Sequence, residues 1–210
     1  MFSRVTQWMA AALLLIASAT QAAEYEANKH YLVLEQPQPV LADGKVHVEE
    51  AFWYGCPHCF HLEKELTPWK AQLPADVKFS GVPAMFGRAW VAHAQLYYTV
   101  EVLGILPQVH DEIFRAIHLE GQKLLTKGDQ REFVVEKAGI SAADFDKAYN
   151  SFSVKSRLKQ GDKRIRAYQI TGVPALIVQG KYLISSSSAG GQDKMLDVVD
   201  FLVEKERTAR

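Results

Sequence analysis

The chain has only two cysteines, and they stand three apart in Phe52-Trp53-Tyr54-Gly55-Cys56-Pro57-His58-Cys59. No other stretch restricts the fold as much, because this one joins a strand-like run to a helix-like one. Val46, Val48, Glu50 and Phe52 share one parity and His47, Glu49, Ala51 and Trp53 the other, so 45–54 reads as a strand. Gly55 ends it. Pro57 suits the first position of a helix, where its missing N–H is no loss, and His61, Leu62, Glu65 and Leu66 continue at helical spacing. Cys56 is thereby placed at a helix N-terminus, where unpaired N–H groups and the positive end of the helix dipole favour thiolate over thiol. Cys59 lies one turn further on, close enough to close a short, strained disulfide that another thiolate can open.

Two cysteines placed at random in a chain this long would fall three apart roughly one time in a hundred, so the spacing carries information. A purely structural bridge is the bland alternative, but a loop this short stabilises little when closed. A zinc site built from Cys56, His58, Cys59 and His61 fails on geometry, because ligands so crowded cannot all face one tetrahedral ion. No metal and no bound cofactor are expected.

Met1 to about Ala22 carries one basic residue, Arg4, then an apolar run from Met9 through Ala17 and small residues before Ala22-Ala23. This is the pattern of a secretory signal peptide, and cleavage after Ala22 puts the small Thr20 at the −3 position. The apolar run is short for a retained membrane anchor. An exported chain meets an oxidising compartment, where a Cys-x-x-Cys pair can rest as a disulfide. Lysine plus arginine number 24 and aspartate plus glutamate 24, and removal of the signal takes only Arg4. That near-neutral balance argues against a nucleic acid partner.

After a short apolar run at Tyr31-Leu32-Val33-Leu34, read as an edge strand, Asp43-Gly44 turns the chain into the cysteine-bearing strand. Pro68 is expected to kink or end the first part of the helix, and Pro74-Ala75-Asp76 leads into a second strand at 77–82. Strand, helix, strand implies a right-handed crossover in a parallel sheet, with the cysteines at the carboxyl end of the first strand. From 86 to 156 the pattern becomes helical, with about four helices before a longer one ending near Gln169; Ser141 and Asp144 resemble a helix-start box. Strand signals return at 175–179 and 181–184 around Gly180, a hairpin; 185–191 reads as a loop, and a last helix presents Met195, Val198, Val199 and Leu202 on one face. Pro174 stands at the entrance to the hairpin, where sequence alone favours a trans bond. Glu50 shares the parity of Val46 and Val48 on a strand expected to be central, so its carboxyl should be buried and its pKa raised. His30, His47, His93, His110 and His118 are scattered and read as surface or packing residues; His61, one turn past His58, is a candidate edge of a substrate surface.

A strand ending in Cys56-Pro57-His58-Cys59, a kinked helix, a helical insertion, and Gly172-Val173-Pro174 before a terminal hairpin and helix together resemble the DsbA family of periplasmic thiol:disulfide oxidoreductases. The likeness runs over nearly the whole mature chain, and the Pro57-His58 pair and the helical insertion are more specific than the Cys-x-x-Cys alone. It implies an α/β, thioredoxin-like fold with an inserted all-helical domain: signal peptide 1–22, first thioredoxin part 23–85, insertion 86–156, second thioredoxin part 157–210. It further implies that Cys56 is the exposed, reactive sulfur and Cys59 its buried partner, with His58 helping to hold the Cys56 thiolate. Pro174 would be cis, with the Val173 backbone pairing to an extended substrate segment. Glu50, six residues before Cys56, matches an acidic residue beneath the family's active site that relays a proton for Cys59. Some relatives have a basic partner where this chain has Gly81, so no charge pair with Glu50 is expected. The implied partners are cysteine-bearing exported proteins and a DsbB-like, quinone-linked membrane oxidase, with the protein itself a monomer.

The chemistry of the motif runs the same way. A stabilised Cys56 thiolate is a good leaving group and favours the reduced protein, so the disulfide is handed on. Two other functions fit the residues less well. A periplasmic reductase or isomerase is one, but isomerases usually carry a dimerisation domain ahead of the thioredoxin part and only about twenty residues precede it here. A peptide-binding holdase with a structural disulfide is the other, and a Cys59→Ser change would leave its activity intact.

Overall fold

A computed structural model describes residues 25–209; the stretch read as a signal peptide lies outside the described residues. The alternating run condenses into β2 (Val46–Phe52), buried along its whole length, and the following strand signal into β3 (Val77–Pro83), which pairs with it in parallel. Between them α1 runs Pro57–Ala71. Pro68 does not end this helix. The single lost backbone bond is tolerated because Leu62 and Leu66 are buried before it and Trp69, after it, packs on the same core and donates from Nε1 to Asp200 at 2.8 Å.

The hairpin is β4 (Ala175–Val178) and β5 (Tyr182–Ser185), and the short edge strand is β1 (Leu32–Val33). The five strands lie in the order β1-β5-β4-β2-β3, antiparallel except between β2 and β3. β2 is therefore an interior strand, paired on both sides and buried on both faces. On one face Val46 and Val48 join Leu62 and Leu66 of α1 and Val198, Val199 and Leu202 of α8 (Met195–Thr208). Each of those aliphatic side chains stabilises the fold by about 1.5–3 kcal/mol through its burial. On the other face Ala51 meets Ile177 and Ile165 of α6 (Phe152–Ala167).

Between β3 and α6 the chain forms α2 (Arg88–Val102), α3 (Leu106–His118), α4 (Lys127–Ala138) and α5 (Ala142–Tyr149), the inserted helical region. Ser141 caps α5 by accepting from the Asp144 N–H, which bears out the helix-start reading. The stretch expected as a loop after β5 instead contains one helical turn, α7 (Ser186–Ala189), held by a reciprocal Ser185–Ser188 capping box. Among the described residues no helix is long and apolar enough to cross a membrane.

Candidate active site

β2 stops at Phe52, and the chain turns tightly, with the Cys56 N–H donating to the Trp53 carbonyl at 2.9 Å. Cys56 is the N-cap of α1, in an extended conformation, and Pro57 follows at the first helical position. Both thiols are free. The Cys56 pKa is lowered from 9.0 to about 6: the Cys59 thiol donating to its sulfur is the largest cause, burial opposes it, and the Cys59 and His58 backbone N–H groups and the His58 charge add to the lowering. Burial, first, and then the hydrogen bond to Cys56 and the charge of Glu50 push the Cys59 thiol far up. The pair is thus split into one sulfur that ionises readily and one that holds its proton.

Access is split less than the resemblance implied. Cys59 is fully buried, but Cys56 is itself only 8 % exposed, so a substrate meets an edge of the sulfur and not an open thiol. Pro57 and His58 beside it are exposed. Across from Cys56, the Val173–Pro174 bond is cis, as the resemblance implies and against the preference of an isolated X-Pro bond. The Cys56 thiol donates to the Val173 carbonyl at 3.6 Å. His58, Val173, Pro174, Thr171 and Gln192 line one cavity of about 560 Å³ that reaches Leu32 on the edge strand. The Gln192 amide donates to the His58 carbonyl at 2.7 Å and ties the far wall of this cavity to the cysteine turn.

Glu50 sits below the cysteines on β2, 1 % exposed, with no hydrogen-bond partner for Oε1 among the described residues. Burial, then the neighbouring Glu63 charge, raises its pKa well above the usual carboxylate value, with Lys70 opposing. Its neighbour in register on β3 is Gly81. A Cβ added there would stand 2.8 Å from Tyr97 Oη and 3.0 Å from Phe52, so aromatic packing occupies the space a basic partner would need. Glu49, on the opposite face, is fully engaged: Arg164 lies 2.6 Å from Oε1 and the Tyr168 hydroxyl donates to Oε2.

Two histidines that read as packing residues do more than pack. Both come from α3, and both hold Tyr54, two residues before Cys56. His110 Nδ1 lies 2.8 Å from the Tyr54 hydroxyl, and His118 Nε2 donates to the Tyr54 carbonyl at 2.8 Å while its ring stacks on Phe60. His110 Nε2 also meets Glu63 Oε1 at 3.2 Å, and Lys70 and Thr67 donate to Glu63 Oε2. Burial resists the Glu63 charge, but the hydrogen bonds and charges of His110 and Lys70 outweigh it and keep this carboxyl below the usual range. The sequence signal was the spacing of His110, Phe114 and His118, which puts all three on one face of α3.

An acidic cysteine at a helix N-terminus, its buried partner one turn on and a cis-proline facing them on a central mixed sheet define a thiol:disulfide oxidoreductase of the thioredoxin fold. The family model of the DSBA-like thioredoxin domain matches residues 61–200. The thiol:disulfide interchange protein DsbA of Pseudomonas aeruginosa is 44% identical over 195 residues, 93% of this chain and 92% of that protein. Its counterpart in Azotobacter vinelandii is 45% identical over 201 residues, 93% and 94% of the two chains. The crystal structure of P. aeruginosa DsbA superposes with a TM-score of 0.82 at 44% identity, over 88% of this chain and 96% of that one. The oxidoreductase DsbA from Xylella fastidiosa gives 0.79 at 29% identity, over 85% and 96%. The chain belongs to the DsbA family of thiol:disulfide interchange proteins.

Proposed function

We propose that the protein works in the oxidising direction, donating a Cys56–Cys59 disulfide to newly exported proteins. The observation that carries this is the low pKa of Cys56 beside a Cys59 that holds its proton. A substrate thiolate attacks Sγ of Cys56, and the S–S electron pair passes to Cys59, which takes up a proton. A second substrate thiolate then attacks the substrate sulfur of the mixed disulfide and expels Cys56 as its thiolate. Each turn oxidises two substrate thiols and leaves the dithiol protein, which a DsbB-like membrane oxidase returns to the disulfide.

Each site residue has one task in this scheme. Pro57 and His58 shape the helix start and stabilise the Cys56 thiolate. The Val173 backbone, beside Pro174, pairs with the extended substrate next to its cysteine. Glu50, whose pKa burial raises, supplies the proton to Cys59 and takes it back on reoxidation. The protein acts as a monomer in the periplasm after loss of residues 1–22, with 23–85 and 157–210 forming the thioredoxin part and 86–156 the insertion.

The test is the reduction potential of the mature protein, equilibrated with glutathione mixtures and read by thiol trapping. A potential well above that of thioredoxin is expected. A value near or below thioredoxin's would overturn the oxidising direction and make the protein a reductase.

A further inference from the structure

Away from the cysteines, α1 and α3 bring three metal-ligating side chains to one point. Glu63, His110 and Asp111 each offer a ligand atom, and these atoms lie within 4.8 Å of one another. His110 Nε2 and Glu63 Oε1 are already 3.2 Å apart. Two donors on one tetrahedral ion with bonds of about 2.0–2.1 Å stand about 3.3 Å apart, so these two need almost no movement to share one.

The surroundings are arranged as they are around metal ligands. The second nitrogen of His110, Nδ1, is held by the Tyr54 hydroxyl at 2.8 Å, an outer hydrogen bond that fixes the ring with Nε2 toward Glu63. Lys70 and Thr67 occupy the other carboxylate oxygen of Glu63, Oε2, and so fix its orientation while leaving Oε1 to face His110. Lys70 also places a positive charge near the point, which limits affinity without occupying a ligand position.

A second, independent observation lies beside this point. Glu50 lines the same cavity of about 360 Å³ as His110, Asp111 and Lys70. It is 1 % exposed, and among the described residues its Oε1 has no hydrogen-bond partner. With Gly81 opposite, β3 supplies no basic side chain to it.

We propose that a divalent transition metal of the zinc class binds at the edge of this cavity, through His110 Nε2 and the Glu63 and Asp111 carboxylates, with Glu50 lining the same cavity. One imidazole and two carboxylates suit zinc better than the hard, all-oxygen ligation that calcium or magnesium prefers. Neither cysteine is a ligand.

The experiment titrates zinc chloride into the protein in its disulfide form, so that no thiol takes part, with a chromophoric chelator as competitor. One equivalent per chain is expected. Asp111→Asn alters an exposed residue, and His110→Gln keeps hydrogen-bonding groups toward Tyr54 and Glu63. Each is expected to weaken binding at least tenfold, with circular dichroism unchanged. His61→Ala, which removes an exposed imidazole on α1, should leave binding as it was. Absence of stoichiometric binding, binding unchanged in Asp111→Asn, or binding lost in His61→Ala would each overturn the proposal.

Discussion

Replacing Cys59 with alanine removes the largest single contribution to the acidity of Cys56. The fall in pKa from 9.0 to about 6 is a thousandfold change in acidity, about 4 kcal/mol at 1.36 kcal/mol for each factor of ten. Its first cause is the hydrogen bond from the Cys59 thiol, followed, among the lowering causes, by the Cys59 and His58 backbone N–H groups at the helix start. A hydrogen bond to a charged group contributes about 1.5–3 kcal/mol, so its loss alone should bring the Cys56 midpoint to about 7–8. Cys59→Ser keeps an O–H donor and should stay near the parent. At pH 7 the parent is then about nine-tenths thiolate, and the alanine variant between about one-tenth and one-half. The assay is the ultraviolet absorbance of the thiolate against pH, with the rate of alkylation at Cys56 as a second readout. An alanine variant that titrates like the parent would refute the reasoning and assign the acidity to the helix terminus alone.

The same pKa links folding to pH. Unfolded chains bind more protons at Cys56 than folded ones between about pH 6 and 9, so this stabilisation of the dithiol form is complete above about 9 and is lost as pH falls through about 6. Urea unfolding of the reduced protein should gain about 2.6 kcal/mol from pH 5 to pH 8 relative to Cys56→Ser; parallel profiles would contradict it. Glu50→Gln should slow resolution of the mixed disulfide by at least about tenfold, since general acid–base groups contribute of order 10²–10⁴, yet leave the fold as stable at neutral pH; an unaltered rate in stopped-flow oxidation would remove Glu50 from the proton path. Cys59→Ser should accumulate a mixed disulfide with a disulfide-bonded protein on non-reducing gels, because the Cys56 thiolate opens that bond and no Cys59 remains to release it; normal turnover by this variant would make the disulfide merely structural. Gly161→Ala, inside α6, would set a Cβ 2.2 Å from Tyr98 Oη; overpacking of about 1–3 kcal/mol should outweigh its better helix propensity, and a thermal midpoint at or above the parent's would show that Tyr98 yields freely.

The parts of the fold written in local periodicity were legible in the sequence. β2, α1, β3, the hairpin and α8 each follow from spacing and turn residues that lie next to one another. The alternation of β2 also placed Glu49 and Glu50 on opposite faces. It did not show that one would be satisfied and the other left without a partner, because that depends on Arg164 and Tyr168, more than a hundred residues later. The cis bond at Pro174 came from the resemblance, since an isolated X-Pro bond favours trans. α7 was missed because four residues are too few to show a period, although the Ser185 and Ser188 pair that caps it was visible. The spacing of His110 and His118 showed that they share a face of α3, but not what they would hold, because their partner Tyr54 stands 56 and 64 residues earlier.

That separation bears on how the protein is made. A ribosome completes β2, the cysteine turn and α1 well before it reaches α3, and Val173 follows Cys56 by 117 residues. Until those later segments arrive, Tyr54 has neither of its imidazole clasps and the first cysteine has no facing carbonyl. The redox centre is encoded early in the chain but assembled late, so a nascent fragment carries both thiols without their finished surroundings.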